Sequence, residues 1–159
     1  MTFRVGKREY SIYEIILFLI LVSEIVLIFI SNLLYLDKNL DLVYIDTQRM
    51  EQILTNLVSN AIKFTKENGK IEVTTSKIKA DDIRNNKFFA SLPETMSNEY
   101  VQIAVKDDGI GIAPENWGKV FEQFKQIENS LSRKVGGSGL GLPIAKRLID
   151  AHKGFIWLN

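Results

Sequence analysis

The 159-residue chain contains no cysteine and a single histidine, His152. The first absence excludes disulfide scaffolds and thiolate metal sites, and the second excludes a metal centre built from several histidines. An excess of one charge is lacking too: 20 lysines and arginines face 19 acidic residues, a formal net charge of +1. Composition therefore offers no electrostatic footprint for nucleic acid, and none is expected as a partner. No G-x-x-x-x-G-K-[ST] phosphate loop occurs in the chain, and no internal repeat or low-complexity tract is present. The length suits one ordinary domain rather than two.

What is there is unevenly spread. From Ile12 to Leu36 the chain reads IYEIILFLILVSEIVLIFISNLLYL. A bilayer core of about 30 Å needs about 20 apolar residues, so the run is long enough to span one. Glu14 and Glu24 interrupt it. A carboxylate near mid-membrane costs roughly 2.5–3.5 kcal/mol on insertion scales, which the surrounding Leu, Ile and Phe residues offset. The expectation is one membrane-spanning helix; the competing reading is a buried or partner-packing helix. No small-residue cleavage site follows the run, which argues against a signal peptide.

Beyond it, Leu33–Leu36 and Leu42–Ile45 read as short strands around the turn Asp37-Lys38-Asn39. Asp46 or Thr47 can cap a helix running to about Thr65, and Asn68-Gly69 ends it. Lys70–Ser76 alternates apolar and polar residues as a half-buried strand does, and Tyr100–Lys106 is the next such run. Lys77–Asn98 is polar, carries Pro93 and reads as a long loop with Phe88 and Phe89 tucked onto the core. Pro114 starts a short helix. Gln126–Gly137 reads as loop, Leu142–His152 as a helix ended by Gly154, and Phe155–Leu158 as one more strand.

Three constellations carry chemistry. On the helix from Asp46, at about 100° per residue, Asn56, Asn60 and Lys63 fall within roughly 60° of one another. Met50, Leu54, Leu57, Val58 and Ala61 gather opposite. A solvated polar face explains this pattern, but asparagine is a poor helix former, and two of them one turn apart suggest a task. An amide oxygen is a hard ligand suited to Mg²⁺, and a neighbouring lysine can neutralise phosphate. Next, the strand ending in Asp107 runs into Asp108-Gly109-Ile110-Gly111. A carboxylate there can accept a hydrogen bond from an exocyclic amine such as that of adenine; the plainer reading is an Asp-Gly turn. Finally, VGGSGLGLPIAKRLIDAHKG places four glycines, Gly136, Gly137, Gly139 and Gly141, directly before a helix. Its spacing is not the dinucleotide fingerprint, and no strand precedes it. It does open a helix whose N–H groups can meet phosphate, with Lys125, Arg133 and Lys134 in the preceding loop as added charge. The plainer reading is a flexible loop.

In order, N-x-x-x-N-A-x-K-F-T, D-x-G-x-G-I, F-x-x-F and G-G-S-G-L-G-L together resemble the ATP-binding catalytic domain of sensor histidine kinases, over about Leu33 to Asn159. The wider group includes type II topoisomerase, mismatch-repair and heat-shock chaperone ATPases. The resemblance implies an α/β (α+β) two-layer sandwich: a mixed sheet packed on helices, with an ATP lid, here preceded by the hydrophobic helix. It implies residues 1–31 as tail and hydrophobic segment and 32–159 as the ATP-binding domain, with ATP and Mg²⁺ as cofactors. Asn60 would hold Mg²⁺, Asn56 would support it or the phosphates, and Lys63 would reach phosphate. Asp107 would bind the adenine amine, with Gly109 and Gly111 shaping the pocket. Phe121 and Phe124 would anchor the lid, from about Lys125 to Gly136, and Gly137, Gly139, Leu140 and Gly141 would wrap the phosphates.

The match has departures. The family's phospho-accepting histidine sits on a dimerising helix hairpin before this domain, whereas His152 lies late in the last helix. The expected activity is therefore donation of the γ-phosphoryl to a histidine on another chain, with a response regulator beyond it. The family pattern also continues past Asn159, so the chain reads as truncated, and the loop Lys77–Asn98 is longer than usual. The alternatives are a non-catalytic or degenerate membrane-tethered nucleotide-binding module, and an ATP-hydrolysing switch. The hydrolysing relatives place a glutamate one turn before the metal asparagine; here that position is Asn56, which cannot take a proton. Arg4, Lys7 and Arg8 precede the hydrophobic run and Asp37, Lys38, Asp41 and Asp46 follow it. The positive-inside rule would export the rest of the chain; ATP use requires the cytoplasm, which is the location expected.

Overall fold

The computed structural model describes residues 34–35, 37, 40, 45–66, 68–86, 88, 97–125 and 138–159. The hydrophobic run 12–36, apart from the pair 34–35, and the expected strand at 42–45, apart from residue 45, lie outside them.

Among the described residues the sheet has three strands in the order β1 (Leu34–Tyr35), β2 (Ile71–Lys79), β3 (Glu99–Asp107). β1 runs parallel to β2, with Leu34 opposite Val73, while β2 and β3 are antiparallel, from Ile71 opposite Asp107 to Lys79 opposite Glu99. The sheet is mixed, as expected. A parallel pair needs a crossover, and helix α1 (Thr47–Phe64) supplies it. Asp46 caps α1: its carboxylate accepts the Arg49 N–H at 3.1 Å.

Alternation on β2 buries Ile71, Val73 and Thr75 on one face. The Thr75 hydroxyl accepts the Asp37 N–H at 3.0 Å, which ties the turn after β1 to the middle of β2. Ile53, Leu54 and Ala61 of α1 complete this core. The last helix, α3 (Gly141–Ala151), packs on α1 and buries Pro143 and Ala145. Two layers result, sheet and helices, and α1 touches both β3 and α3.

Two expected elements differ. The stretch after Ser76 is not loop throughout: β2 continues to Lys79, and α2 (Ala80–Arg84) follows. Charged residues mask an A-x-x-I pattern there that buries Ala80 and Ile83, the latter only 2% exposed; Asp81 and Asp82 suit the first turn. Conversely, Phe155–Leu158 forms no strand. The chain leaves α3 through Lys153, whose φ is +54°, and Phe155 meets Tyr100 of β3 edge-on, ring centroids 5.5 Å apart. The helix expected from Pro114 is two single 3₁₀ turns, Pro114–Asn116 and Lys119–Phe121.

Candidate functional site

The predicted residues lie along one side of α1. In its C-terminal half Asn56 and Asn60 face α3. A Cβ placed on Gly141 would lie 3.6 Å from Asn60 Nδ2 and 3.7 Å from Asn56 Oδ1. Both asparagines are half-buried, and Ile53, within roughly 20° of Asn60 around the helix, is only 2% exposed. The polar face expected to point away from the core therefore borders it, because α3 packs there. Asn56 Nδ2 is buried without a hydrogen-bond partner. Leaving a buried amide unmatched costs about 1–3 kcal/mol, and native structures reserve such groups for a task or a ligand. Lys63, one turn past Asn60, places its ammonium 5.4 Å from the centroid of the Phe64 ring.

Facing the amides is the N-terminus of α3. Its capping position is Leu140, which offers no side-chain acceptor, and no acidic residue occupies the first turn. Ser138 Oγ accepts the Leu140 N–H at 3.3 Å. Gly139 has φ +67°, a conformation that favours glycine, and a Cβ built there would lie 3.1 Å from the Lys125 carbonyl oxygen and close to the Phe124 backbone. A helix start of this kind, without a side-chain cap and opened by glycine, is a natural anion site.

At the far end of α1 sits the Asp107–Gly111 turn. Asp107 Oδ1 accepts the Gly109 N–H at 2.9 Å, and the residue is exposed. Asp108 is engaged structurally: its Oδ1 accepts the Lys70 N–H at 2.8 Å, while its own N–H reaches the Lys70 carbonyl. Of the two carboxylates, Asp108 is the one tied to Lys70, next to β2, while Asp107 bonds within its own turn. Gly109 is seated on the end of α1, since a Cβ there would fall 2.5 Å from the Phe64 carbonyl oxygen. Gly111 has φ +66° with open space beside it. Thr65 Oγ1, likewise buried without a hydrogen-bond partner, lies at this same end of α1.

Of the two phenylalanines expected to anchor the lid, Phe121 packs edge-on against Phe88, centroids 6.0 Å apart, whereas Phe124 is 74% exposed with φ +61°. Phe124 therefore does not anchor by burial; the turn that carries it projects the ring outward. Arg133, Lys134 and Gly137, with the lid itself, lie outside the described residues. Sequence reasoning missed Ile53, Thr65 and Trp117. Helical phase alone could have placed Ile53 beside the asparagines, and a tryptophan just after a turn signal is a candidate for packing.

Among the described residues there is no group of three or more His, Asp or Glu side chains able to hold a metal ion, so an all-protein cage is not available. Mg²⁺ keeps several waters and binds through one or two protein oxygens plus substrate phosphates. A pair of half-buried amides at an anion-binding helix terminus fits that mode.

A small sheet packed on helices in this order is the fold of histidine-kinase ATPase domains. The family model for histidine kinase-, DNA gyrase B-, and HSP90-like ATPases matches residues 45–159, and the chain belongs to this family. Sensor histidine kinase WalK of Bacillus subtilis (strain 168) is 37% identical over 131 residues, 82% of this chain and 18% of that protein. The chain thus spans less than a fifth of that relative. Among solved structures, a mycobacterial sensor histidine kinase, MprB, shares the fold with TM-score 0.69 at 19% identity, covering 97% of this chain and 85% of the other. The nucleotide-free catalytic domain of histidine kinase ThkA superposes with TM-score 0.66 at 28% identity, covering 96% and 86%.

Proposed function

We propose that this domain binds Mg·ATP and serves as the catalytic domain of a sensor histidine kinase. Adenine would lie at the Asp107–Gly111 turn, where the exposed carboxylate accepts from the exocyclic amine. The phosphates would lie between Asn56, Asn60 and Lys63 and the start of α3. Asn60 would hold Mg²⁺, with Asn56 in support; the ion supplies charge neutralisation for the phosphates when bound. The observation that carries this reading is the pair of amides facing Gly141 with Asn56 Nδ2 buried and unpartnered.

Phosphoryl transfer is mainly positioning and charge stabilisation, and this chain's residues perform that part. They supply no acceptor: His152, the sole histidine, directs its Nδ1 to the Leu148 carbonyl oxygen at 2.7 Å, on the final turn of α3. The γ-phosphoryl would pass to a histidine outside these 159 residues, and from it to a response regulator. Hydrolysis is the poorer reading, because Asn56 is an amide and cannot act as base toward water. The run 12–36 would tether the domain to the membrane with the ATP site in the cytoplasm; among the described residues no helix is long and apolar enough to cross a membrane.

The test is calorimetry on the full chain. Mg·ATP should bind, and Asn60→Ala should abolish the Mg²⁺-dependent part with little change in thermal stability. Equal affinity in the variant would remove Asn60 from its assigned role.

A further inference from the structure

The stretch between β2 and β3 is not an idle insertion. Its base is fixed: Ile83 and Ala80 are buried, and the Ala80 N–H donates to the Asn98 carbonyl at 3.0 Å, which closes the loop on itself. Beyond this base stands Phe88. Its N–H donates to Asn86 Oδ1 at 2.9 Å, its ring stacks on Trp117 with centroids 6.2 Å apart, and it meets Phe121 edge-on at 6.0 Å. The Trp117 indole Nε1–H in turn donates to the Ile112 carbonyl at 2.8 Å. Ile112 directly follows Gly111, the last residue of the turn that begins at Asp107. Phe121 belongs to the 3₁₀ turn that packs on α3. One side chain from the insert therefore touches both the support of the Asp107–Gly111 turn and the segment that leans on the opposite helix.

We infer that Phe88 and Trp117 are positioning residues for the nucleotide, so that the β2–β3 insert sets the shape of the base pocket through the Trp117–Ile112 hydrogen bond. The inference rests on the reading of Asp107–Gly111 as that pocket. The start of the turn is tied to α1 at Gly109 and to Lys70 through Asp108, whereas at Gly111 the φ is positive and a Cβ would meet nothing within 4 Å; the hydrogen bond to the next residue, Ile112, restrains that end. The consequence is specific: loss of the restraint weakens ATP and ADP equally, because both carry the base.

The test uses the full chain with Trp157→Phe, which leaves Trp117 as the sole indole. ATP and ADP affinities and Trp117 emission are measured well below the thermal transition. In this background Trp117 emission should change on ADP addition. Phe88→Ala should abolish that change and weaken both nucleotides by about tenfold, the size of one hydrogen bond left unmade, and Phe88→Tyr should restore both. Trp117→Phe in the otherwise native chain keeps a ring for Phe88 and removes the N–H; it should weaken both nucleotides to the same degree. A merely structural role would lower the melting temperature and leave the affinities of the folded protein unchanged, which overturns the inference. Should Phe88→Ala fail to fold, Trp117→Phe decides, and native affinity there is also refuting. Asp107→Ala is run alongside. If it binds like the parent, or the parent binds no nucleotide, the base pocket itself is wrong and this inference falls with it. If it loses binding while Phe88→Ala does not, only the positioning role fails.

Discussion

Three glycines of this domain see three different environments, and alanine substitution at each separates clash from strain from plain entropy. A Cβ on Gly109 would fall 2.5 Å from the Phe64 carbonyl oxygen and 2.6 Å from Asp107 Oδ1. Carbon–oxygen contacts are comfortable at about 3.3 Å or more, and the nearer oxygen belongs to the backbone at the end of α1, so it cannot swing away. The turn itself must move. Overpacking of this kind costs about 1–3 kcal/mol, and at roughly 2–4 °C per kcal/mol for a chain of this size the midpoint should fall by about 2–12 °C. Gly111→Ala meets nothing within 4 Å but keeps φ +66°, a strain of about 1–2 kcal/mol. Gly118 has φ −69° and ψ −38° with open space around it, so alanine there should stabilise by about 0.4–1 kcal/mol through the unfolded chain. Thermal and urea unfolding by circular dichroism would read all three, with ADP affinity as the second axis. Gly109→Ala and Gly111→Ala should both weaken ADP, and Gly118→Ala should not. Gly109→Ala as stable as Gly118→Ala would refute the seating of the turn on Phe64.

Asp107→Ala should weaken ATP and ADP alike by calorimetry; a loss confined to ATP would place Asp107 at the phosphates instead of the base. Ile83→Ala should destabilise the domain by about 2–5 kcal/mol in urea, since Ile83 is 2% exposed, and a change under 0.5 kcal/mol would show that α2 is not part of the core. Deletion of residues 12–31 should move the protein from the membrane to the soluble fraction of expressing cells, and retention of membrane association without them would end the tether reading.

Much of this was legible because it rests on period. Alternation found β2 and β3, helical phase gathered Asn56, Asn60 and Lys63, and the glycine cluster sat where α3 begins. What escaped notice depended on tertiary neighbours. The apolar stripe opposite the asparagines was visible, but α3 covers a second sector of α1, which buries Ile53 beside Asn60 and turns a supposed solvated face into a half-buried one. α2 was missed because three of its five residues are charged and only Ala80 and Ile83 face inward. Phe155–Leu158 has strand composition but is not strand, and the Phe155–Tyr100 ring contact that joins it to β3 is a tertiary feature that composition does not show.

Helix α1 acts as the ruler of the site. Gly109 is held against the Phe64 carbonyl at its C-terminal end, and Asn60 and Asn56 lie one and two turns back. At 1.5 Å per residue these amides stand about 6 and 12 Å along the axis from the base turn. A rigid helix thus fixes the separation between a site for a base and a site for phosphates, and neither end depends on the other for its own folding. Gly109 is seated by backbone contact, while Asn56 and Asn60 are placed by the approach of α3 at Gly141. The wall opposite the helix is jointed differently: Gly139 and Phe124 both sit at positive φ, and a Cβ on Gly139 would fall 3.1 Å from the Lys125 carbonyl oxygen. A fixed ruler facing a wall built of strained and glycine-relaxed joints is the arrangement a domain needs if it is to hold the nucleotide in one register and still change how its phosphate end is presented.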